Sequence, residues 1–181
     1  MKDFVVFDLE TTGCNNADTI IEIGAWKFKN GVSVGKFSEL VNPRCSISTT
    51  ITQITGITNE MLSSQLELYE ILPLFYEFCE DLPLVGHNIS FDYRFLKNRG
   101  SDLGLDFTLG GKRTGVCTQH ETKRLCPDLD SYKLESLVSH FNIPRMSGEF
   151  HRAYFDAYMT KLVLDRLNIL YPNSIEPSIL D

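Results

Sequence analysis

The sequence lacks a long apolar run, and no stretch approaches the roughly 18 residues that a membrane-spanning helix needs. Near the N-terminus, Asp3, Asp8 and Glu10 interrupt the apolar segment that a secretory leader would contain. The five cysteines are scattered and odd in number, and no CxxC pair occurs. This indicates neither a disulfide framework nor a thiolate zinc site. We therefore expect a cytoplasmic protein with no membrane partner.

The chain is also short of positive charge, since 17 basic and 24 acidic residues give a formal net charge of −7. This argues against a protein that coats long stretches of nucleic acid. It does not exclude an enzyme that holds a short nucleic-acid end at bound metal ions. In such a site the ions supply positive charge, and the acids that bind them make the count more negative. A length of 181 residues suits one compact domain.

Apolar and turn-forming segments follow an order typical of an α/β domain with a mixed sheet. Asn30-Gly31 predicts a hairpin turn. We expect a mobile loop at 104–115, and a boundary between a domain at 1–171 and a tail at 172–181. The predicted strands are 3–9, 19–29, 33–42 and 83–86, and the predicted helices are 58–64, 68–80, 90–99, 118–126, 133–141 and 153–171.

Two carboxylates, Asp8 and Glu10, stand two residues apart at the end of the first predicted strand. Strand side chains alternate between the faces of a sheet, so both project from the same face. Buried acids are rarely unpaired, and two neighbouring negative charges repel each other. A bound cation would resolve both difficulties, and a chance acid pair is the alternative interpretation.

Two further acids, Asp92 and Asp156, lie near the starts of predicted helices. Asp92 borders the apolar positions Phe95 and Leu96, although an acid in a first turn also interacts favourably with the helix dipole. Asp156 lies on the core-facing side of its helix, where an acid needs a partner. Its predicted stripe contains Asp156, Thr160, Val163, Leu167 and Leu170.

His151 precedes Asp156 by five residues. Imidazole accepts a proton near neutral pH, so His151 is a candidate general base, whereas His120 and His140 are expected to be surface or structural residues. Carboxylate oxygens are hard ligands that suit Mg²⁺ or Mn²⁺. Two such ions about 4 Å apart can clamp a phosphodiester. The residues therefore predict metal-dependent phosphodiester hydrolysis.

Three motifs occur in order: FDLETTG at 7–13, HNISFD at 87–92 and HRAYFD at 151–156. Together they resemble the exonuclease motifs of the DnaQ-like family, and three ordered motifs are far more specific than one. The segment at 20–31 resembles the second strand of that family, and 41–58 resembles proofreading exonucleases of bacterial replicative polymerases. His151 lies five residues before the last aspartate of the third motif, and in this feature the chain resembles the DEDDh branch of the family.

This resemblance implies an RNase H-like α/β fold, with a central five-stranded mixed sheet flanked by helices. It implies that two Mg²⁺ or Mn²⁺ ions are held by four carboxylates and that His151 is the general base. An apolar or aromatic wall could stack on a base, although core packing explains Ile57 and Phe91 equally well. The implied metal ligands are Asp8, Glu10, Asp92 and Asp156, and the implied substrate contacts are Thr11 and Thr12, with Gly56, Ile57, Asn88 and Phe91 as weaker candidates.

Three features depart from the family pattern or lie outside it. Cys117-Thr118 stands where many relatives carry Asp-Thr, so we expect altered local hydrogen bonding with activity retained. Lys112 and Arg113 could hold a phosphate backbone, but a solvated loop is favoured because short basic pairs are common on surfaces. The tail could bind a polymerase or a sliding clamp through Ile175, Ile179 and Leu180, or it could be an untethered terminus.

Four functions remain open at this level. The first is a 3′→5′ exonuclease that releases nucleoside monophosphates from a single-stranded DNA 3′ end in proofreading or repair. The second is an enzyme that trims RNA 3′ ends, which differs in its contacts with the 2′-hydroxyl. The third is a non-catalytic module docked on a polymerase, which loss of a metal-binding acid would favour. The fourth is a hydrolase of small phosphoesters, which would cleave free nucleotides and leave polymers intact.

Overall fold

A three-stranded antiparallel meander opens the fold, as the sequence predicts. The computed structural model describes residues 1–144 and 151–180. Strand β1 (Phe4–Thr11) pairs with β2 (Ile20–Lys29), which pairs with β3 (Val32–Leu40). Asn30 and Gly31 join β2 to β3 with φ angles of 53° and 77°, as a tight hairpin turn requires.

Among the described residues the sheet has six strands, one more than the five that the family resemblance implies, in the order β3-β2-β1-β4-β5-β6. Strands β4 (Leu84–Gly86) and β5 (Thr114–Cys117) run parallel to β1. The additional strand, β6 (Ser178–Ile179), is only two residues long and pairs antiparallel with β5. The predicted mixed sheet is therefore confirmed, with a short extra edge strand.

All six predicted helices are present, and a seventh was not predicted. The missed helix, α1, has the sequence TTITQIT, whose β-branched residues have low helix propensity. Its ends compensate, because the Ser48 side chain caps its first turn and Gly56 ends it in a left-handed conformation. The helices are α1 (Thr49–Thr55), α2 (Asn59–Ser63), α3 (Leu68–Cys79), α4 (Ile89–Asp102), α5 (Thr118–Leu125), α6 (Leu134–His140) and α7 (Ala153–Leu170).

Strand β1 is buried on both faces and divides the core in two. Val5, Phe7 and Leu9 pack with residues of α3 and α4. Phe4 and Val6 pack on the opposite face with residues of α6 and α7. Even-numbered residues of β1 therefore face α7, which places Asp8 and Glu10 on that side of the sheet.

The predicted loop at 104–115 is partly wrong, because its end forms the first residues of β5. Lys112 is exposed, but Arg113 is buried and is neither solvated nor free to hold a phosphate. Its guanidinium lies 4.5 Å from the ring centre of Phe107 and donates to the Glu80 carbonyl at 2.8 Å. Arg113 thus links the loop to the end of α3.

The predicted tail is attached to the sheet edge instead of being untethered. Ile175 is buried in the core beside α7, contrary to the expectation of exposure, whereas Ile179 is 62% exposed. Leu180 packs against the part of the core that lies between β1 and helices α3 and α4, and its backbone N–H donates to the Arg113 carbonyl at 2.9 Å. Asp181 lies outside the described residues. Among the helices that the structure describes, none is both long and apolar enough to cross a membrane.

Helix α7 lies unusually close to β2 at Gly24. A Cβ atom at this position would lie 2.0 Å from the backbone nitrogen of Tyr154 and 2.1 Å from the carbonyl carbon of Ala153. Gly24 pairs with Asp8 across the sheet. The missing side chain therefore lets the first turn of α7 settle directly beside the β1 carboxylates.

We expect Gly24→Ala to lower the free energy of unfolding by about 1–3 kcal/mol, because a methyl group there must displace helix backbone. Urea denaturation followed by circular dichroism measures this change. Ser38→Ala is the matched control, since Ser38 is exposed and pairs with Gly24 on the neighbouring strand. An alanine at 24 that leaves stability at the parent value would contradict the close approach of α7.

Candidate active site

The candidate site lies at the C-terminal end of β1, on the face covered by α7. Asp8 and Glu10 are half-buried there and project from the same face, as predicted. Across the sheet, Asp8 pairs with Gly24 and Glu10 pairs with Glu22. The α7 backbone covers Gly24, so this helix brings its own side chains to the two carboxylates.

Three candidate residues converge within reach of one cation. Glu10, His151 and Asp156 each offer a ligand atom, and these atoms all lie within 4.8 Å of one another. Asp8 and Asp92 are not members of this tight group. They share the same electrostatic environment, since Asp92 raises the pKa of both Asp8 and Glu10, and Glu10 and Asp156 also raise the pKa of Asp8.

Asp156 has one carboxylate oxygen in use and one without a partner. It is 8% exposed and lies on the buried stripe of α7 with Thr160, Val163 and Leu167, whereas Leu170 is exposed, contrary to prediction. Its Oδ2 accepts a hydrogen bond from the His151 backbone N–H at 3.0 Å. Its Oδ1 is buried with no hydrogen-bond partner among the described residues. An unpaired buried carboxylate oxygen is costly, and a cation would satisfy it.

Asp92 is tied to β1 from the first turn of α4. The side chain is 4% exposed, and its Oδ1 accepts a hydrogen bond from the Leu9 backbone N–H at 3.2 Å. Leu9 lies between Asp8 and Glu10 in the chain, so this bond fixes α4 relative to both carboxylates. Burial and this contact show that Asp92 is more than a solvated acid at a helix start.

The pKa values of all four carboxyls are raised, chiefly because the groups are buried away from water, and for Asp8 and Glu10 also because other acids of the site lie nearby. Burial raises the pKa of Glu10 to about 8, with further contributions from Asp156 and Glu22. Burial raises the pKa of Asp92 to about 8 and that of Asp156 to about 7. The pKa of Asp8 is also raised well above its usual value, by burial and then by Asp92 and Asp156. Bound cations would stabilise the ionised form of these carboxylates and so lower their pKa values.

His151 is exposed at the mouth of the cluster, immediately before α7. Its backbone adopts a left-handed φ of 63°, which is uncommon for a residue other than glycine. Its imidazole Nε2 lies 4.0 Å from a carboxylate oxygen of Glu135 on α6. A protonated ring would thus find a negative partner on α6.

The two threonines after Glu10 are bound into a loop that α4 holds in place. The Thr11 hydroxyl donates to the Gly13 carbonyl at 2.6 Å, and the Thr12 hydroxyl donates to Asp18 at 3.0 Å. The guanidinium groups of Arg94 and Arg99 on α4 donate to the backbone carbonyls of this loop, at Cys14, Asn16 and Asp18. The loop is therefore fixed against the helix that carries Asp92.

The four weaker substrate candidates occupy different environments. Gly56 ends α1 with a φ of 71°, and Asn88 stands before α4 with a φ of 65°. Phe91 is half-buried, with its ring centre 5.1 Å from that of Phe95. Ile57 is fully buried with Ile21, Ile47 and Leu62, so core packing accounts for its side chain. Their contacts with a substrate remain predictions.

Cys117 caps α5 and does not belong to the carboxylate cluster. Its sulfur accepts a hydrogen bond from the His120 backbone N–H at 3.5 Å. The adjacent Thr118 hydroxyl lies 2.9 Å from Nδ1 of His87, whose Nε2 lies 2.8 Å from the Tyr132 carbonyl. The departure from Asp-Thr thus changes a helix cap, and the His87 contacts remain in place.

Sequence reasoning missed Glu22 and Arg152. Glu22 is 1% exposed and forms an ion pair with Arg152 at 2.9 Å. The signal was present, because an acid inside the apolar run IIEIG of β2 needs a partner when both faces are covered. The partner could not be read from the sequence, since it is 130 residues away.

Comparison with curated proteins finds relatives among bacterial replicative polymerases. The chain is 42% identical over 159 residues to the PolC-type DNA polymerase III of Caldanaerobacter subterraneus subsp. tengcongensis, covering 87% of this chain and 11% of that protein. It is 41% identical over 167 residues to the PolC-type DNA polymerase III of Thermotoga maritima, covering 90% and 12%. The chain thus spans about a ninth of the length of these relatives.

Among solved structures, Exonuclease X in complex with 5′ overhanging duplex DNA matches with a TM-score of 0.72 and 27% identity, covering 91% of both chains. The nuclease domain of 3′hExo, a DEDDh family member bound to rAMP, matches with a TM-score of 0.81 over 99% of this chain and 98% of that one. Its 13% identity shows a shared fold only. A family model described as exonuclease (RNase T) matches residues 5–164, and the chain therefore belongs to this exonuclease family.

Proposed function

We propose that this chain removes nucleotides one at a time from the 3′ end of single-stranded DNA, releasing nucleoside monophosphates. The observation that carries the proposal is the convergence of Glu10, His151 and Asp156 beside Asp8 and Asp92, with a buried oxygen of Asp156 left unpaired. Every acid of the three motifs is present, which disfavours a non-catalytic module.

The donor set fits two divalent ions of the Mg²⁺ or Mn²⁺ type, because the ligands are carboxylate oxygens. Asp8, Glu10, Asp92 and Asp156 would hold them. When bound, such ions neutralise the carboxylates and stabilise the negative charge that develops on the phosphate during cleavage. Thr11, Thr12, Gly56, Ile57, Asn88 and Phe91 are the proposed contacts of the terminal nucleotide.

His151 is the proposed general base that takes a proton from the attacking water. Its exposed imidazole lies within reach of Glu10 and Asp156 and can pass the proton to solvent. Glu135 lies 4.0 Å from Nε2 and is the nearby acid with which a protonated ring would pair. The same position would allow His151 to bind a cation directly. The His151→Ala variant described below distinguishes the general base from an ion ligand.

We favour DNA over RNA as the proposed substrate because the curated relatives are DNA polymerases and Exonuclease X was solved with DNA. The same relatives favour proofreading alongside a polymerase. A sliding clamp as a further partner and a cytoplasmic location are proposed from the sequence alone. RNA trimming stays the second candidate, since the same carboxylate site can hydrolyse either backbone and the choice depends on contacts with the 2′-hydroxyl.

The test is to incubate the protein with 5′-labelled single-stranded DNA and with the matching RNA, in Mg²⁺, in Mn²⁺ and in a chelator. We expect a metal-dependent ladder that shortens from the 3′ end, faster on DNA. Asp92→Ala controls for contaminating nucleases and should give no ladder. Intact polymers under both metals would refute the proposal, and cleavage of free phosphoesters alone would replace it with the small-substrate hydrolase.

Asp156→Asn should abolish cleavage while the fold is retained. The amide keeps the volume of the side chain but loses the charge that a divalent ion requires. Cleavage ladders and circular dichroism measure both effects. Asp165→Asn is the matched control, because Asp165 lies on the same helix in a surface ion pair with Lys161. Parent-rate cleavage by the Asp156 variant would remove Asp156 from the site.

His151→Ala should lower the cleavage rate by about 10²- to 10⁴-fold, the usual contribution of a general base. Mn²⁺ affinity, measured by calorimetry, should stay near the parent value. His120→Ala provides a control at an exposed imidazole that is not part of the Glu10–His151–Asp156 group. A large loss of Mn²⁺ affinity in the His151 variant would assign this residue to ion binding instead.

The metal-free chain should lose stability as pH rises from about 4 to about 8. The pKa values of Glu10 and Asp92 are raised from 4.5 and 3.8 to about 8, so the folded state holds protons that the unfolded state has already released. Stability falls with pH wherever the folded state binds more protons. Urea denaturation in a chelator measures the slope, and Asp92→Asn should make it shallower. A slope of the opposite sign would contradict this prediction.

A further inference from the structure

Glu22 is a fifth carboxylate at the site that the proposed chemistry does not use. It lies on β2 directly opposite Glu10, on the face covered by α7, and it is 1% exposed. A charge buried this deeply among like charges is expensive unless strong donors satisfy it. Its contacts show which part of the site it serves.

Both oxygens of Glu22 are taken by donors at the start of α7. Arg152 donates to Oε1 from Nη2 at 2.9 Å and from Nε at 3.2 Å. The backbone N–H of Ala153 donates to Oε2 at 3.0 Å. A guanidinium fork and a helix N–H together satisfy this carboxylate, so Glu22 is engaged with the protein and is not presented to an ion.

The same contacts hold the short arch formed by residues 151–153. The His151 backbone N–H donates a hydrogen bond to Asp156 Oδ2 at 3.0 Å. The Glu22 carboxylate accepts hydrogen bonds from the Arg152 side chain and from the Ala153 backbone N–H. His151 has a φ of 63° within this arch, a conformation that persists only where neighbouring contacts impose it. Asp156, by contrast, is anchored by the buried stripe of α7.

We propose that Glu22 and Arg152 are positioning residues that act through His151, fixing the backbone from which the imidazole projects. This inference rests on the proposed function of His151 as general base. Glu22 thereby acts from across the sheet, through an ion pair and not by contact with the substrate. Loss of the pair releases the arch, while the carboxylates on β1, α4 and α7 stay in place.

Kinetics of Glu22→Gln, Arg152→Gln and the double variant on single-stranded DNA test the proposal. Each single change should lower kcat by about 10- to 100-fold, the usual effect of misplacing a reacting group, with KM unchanged. The double variant should be no slower than the slower single variant. Glu22→Gln combined with His151→Ala should be no slower than His151→Ala alone. Losses that multiply in either combination would overturn the proposal.

Two further measurements separate positioning from other roles. Mn²⁺ affinity should stay within about 3-fold of the parent, whereas a fall of about 10-fold or more, which is typical when a residue that supports a metal ligand is removed, would tie Glu22 to the ion site and overturn the proposal. Leu72→Ala, a buried truncation on α3 at the opposite face of the sheet, controls for stability and should lower the melting temperature without changing kcat.

The imidazole resonance of His151 reports position independently of cleavage. In metal-free protein it should shift in both single variants, whereas the resonances of His87, His120 and His140 stay in place. His151→Ala identifies the resonance. An unmoved His151 signal would overturn the proposal even if cleavage slows. If the parent chain cleaves no polymer but the signal shifts as expected, the proposed function fails and the positioning contact stands.

Discussion

Repulsion among carboxylates at the end of β1 is the constraint on which the rest of the structure depends. Asp8, Glu10, Asp92 and Asp156 come from three different elements, burial raises the pKa of each, and nearby negative charge raises the pKa values of Asp8 and Glu10 further. Nothing in the cluster itself would hold such groups together. The hydrophobic packing of α4 and α7 against β1 holds the carboxylates close together. The core on both sides of the sheet therefore stabilises a cluster that the repulsion between its negative charges disfavours.

The contacts around α7 show how this force is directed. Gly24 lets the first turn of the helix lie against β2, and the Glu22 carboxylate receives the N–H of Ala153 at the same place. A close van der Waals approach and a charge-assisted hydrogen bond thus act on the same turn. Asp156 follows within that turn, so its distance from β1 is set by backbone packing and not by the attraction of its own side chain.

The sequence predicted the features that rest on local periodicity or on strong motifs. The apolar run of β1, the hairpin turn at Asn30-Gly31 and the buried stripe of α7 are examples. It missed β5 and β6, which are short strands whose place depends on neighbours distant in the chain. It also missed α1, which is formed by caps more than by propensity. The Glu22–Arg152 pair was beyond reach, because one sequence gives no register between β2 and the start of α7.

The loop after β1 is fastened by the two α4 arginines through its backbone carbonyls. Every residue type offers the same backbone carbonyl oxygen, so the hydrogen bonds from Arg94 and Arg99 do not depend on which side chains the loop carries. Positions 14 and 16 are exposed and can therefore accumulate substitutions while the loop keeps its shape. Variation at these two positions would change the exposed surface next to Thr11 and Thr12 while the backbone of the loop keeps its path.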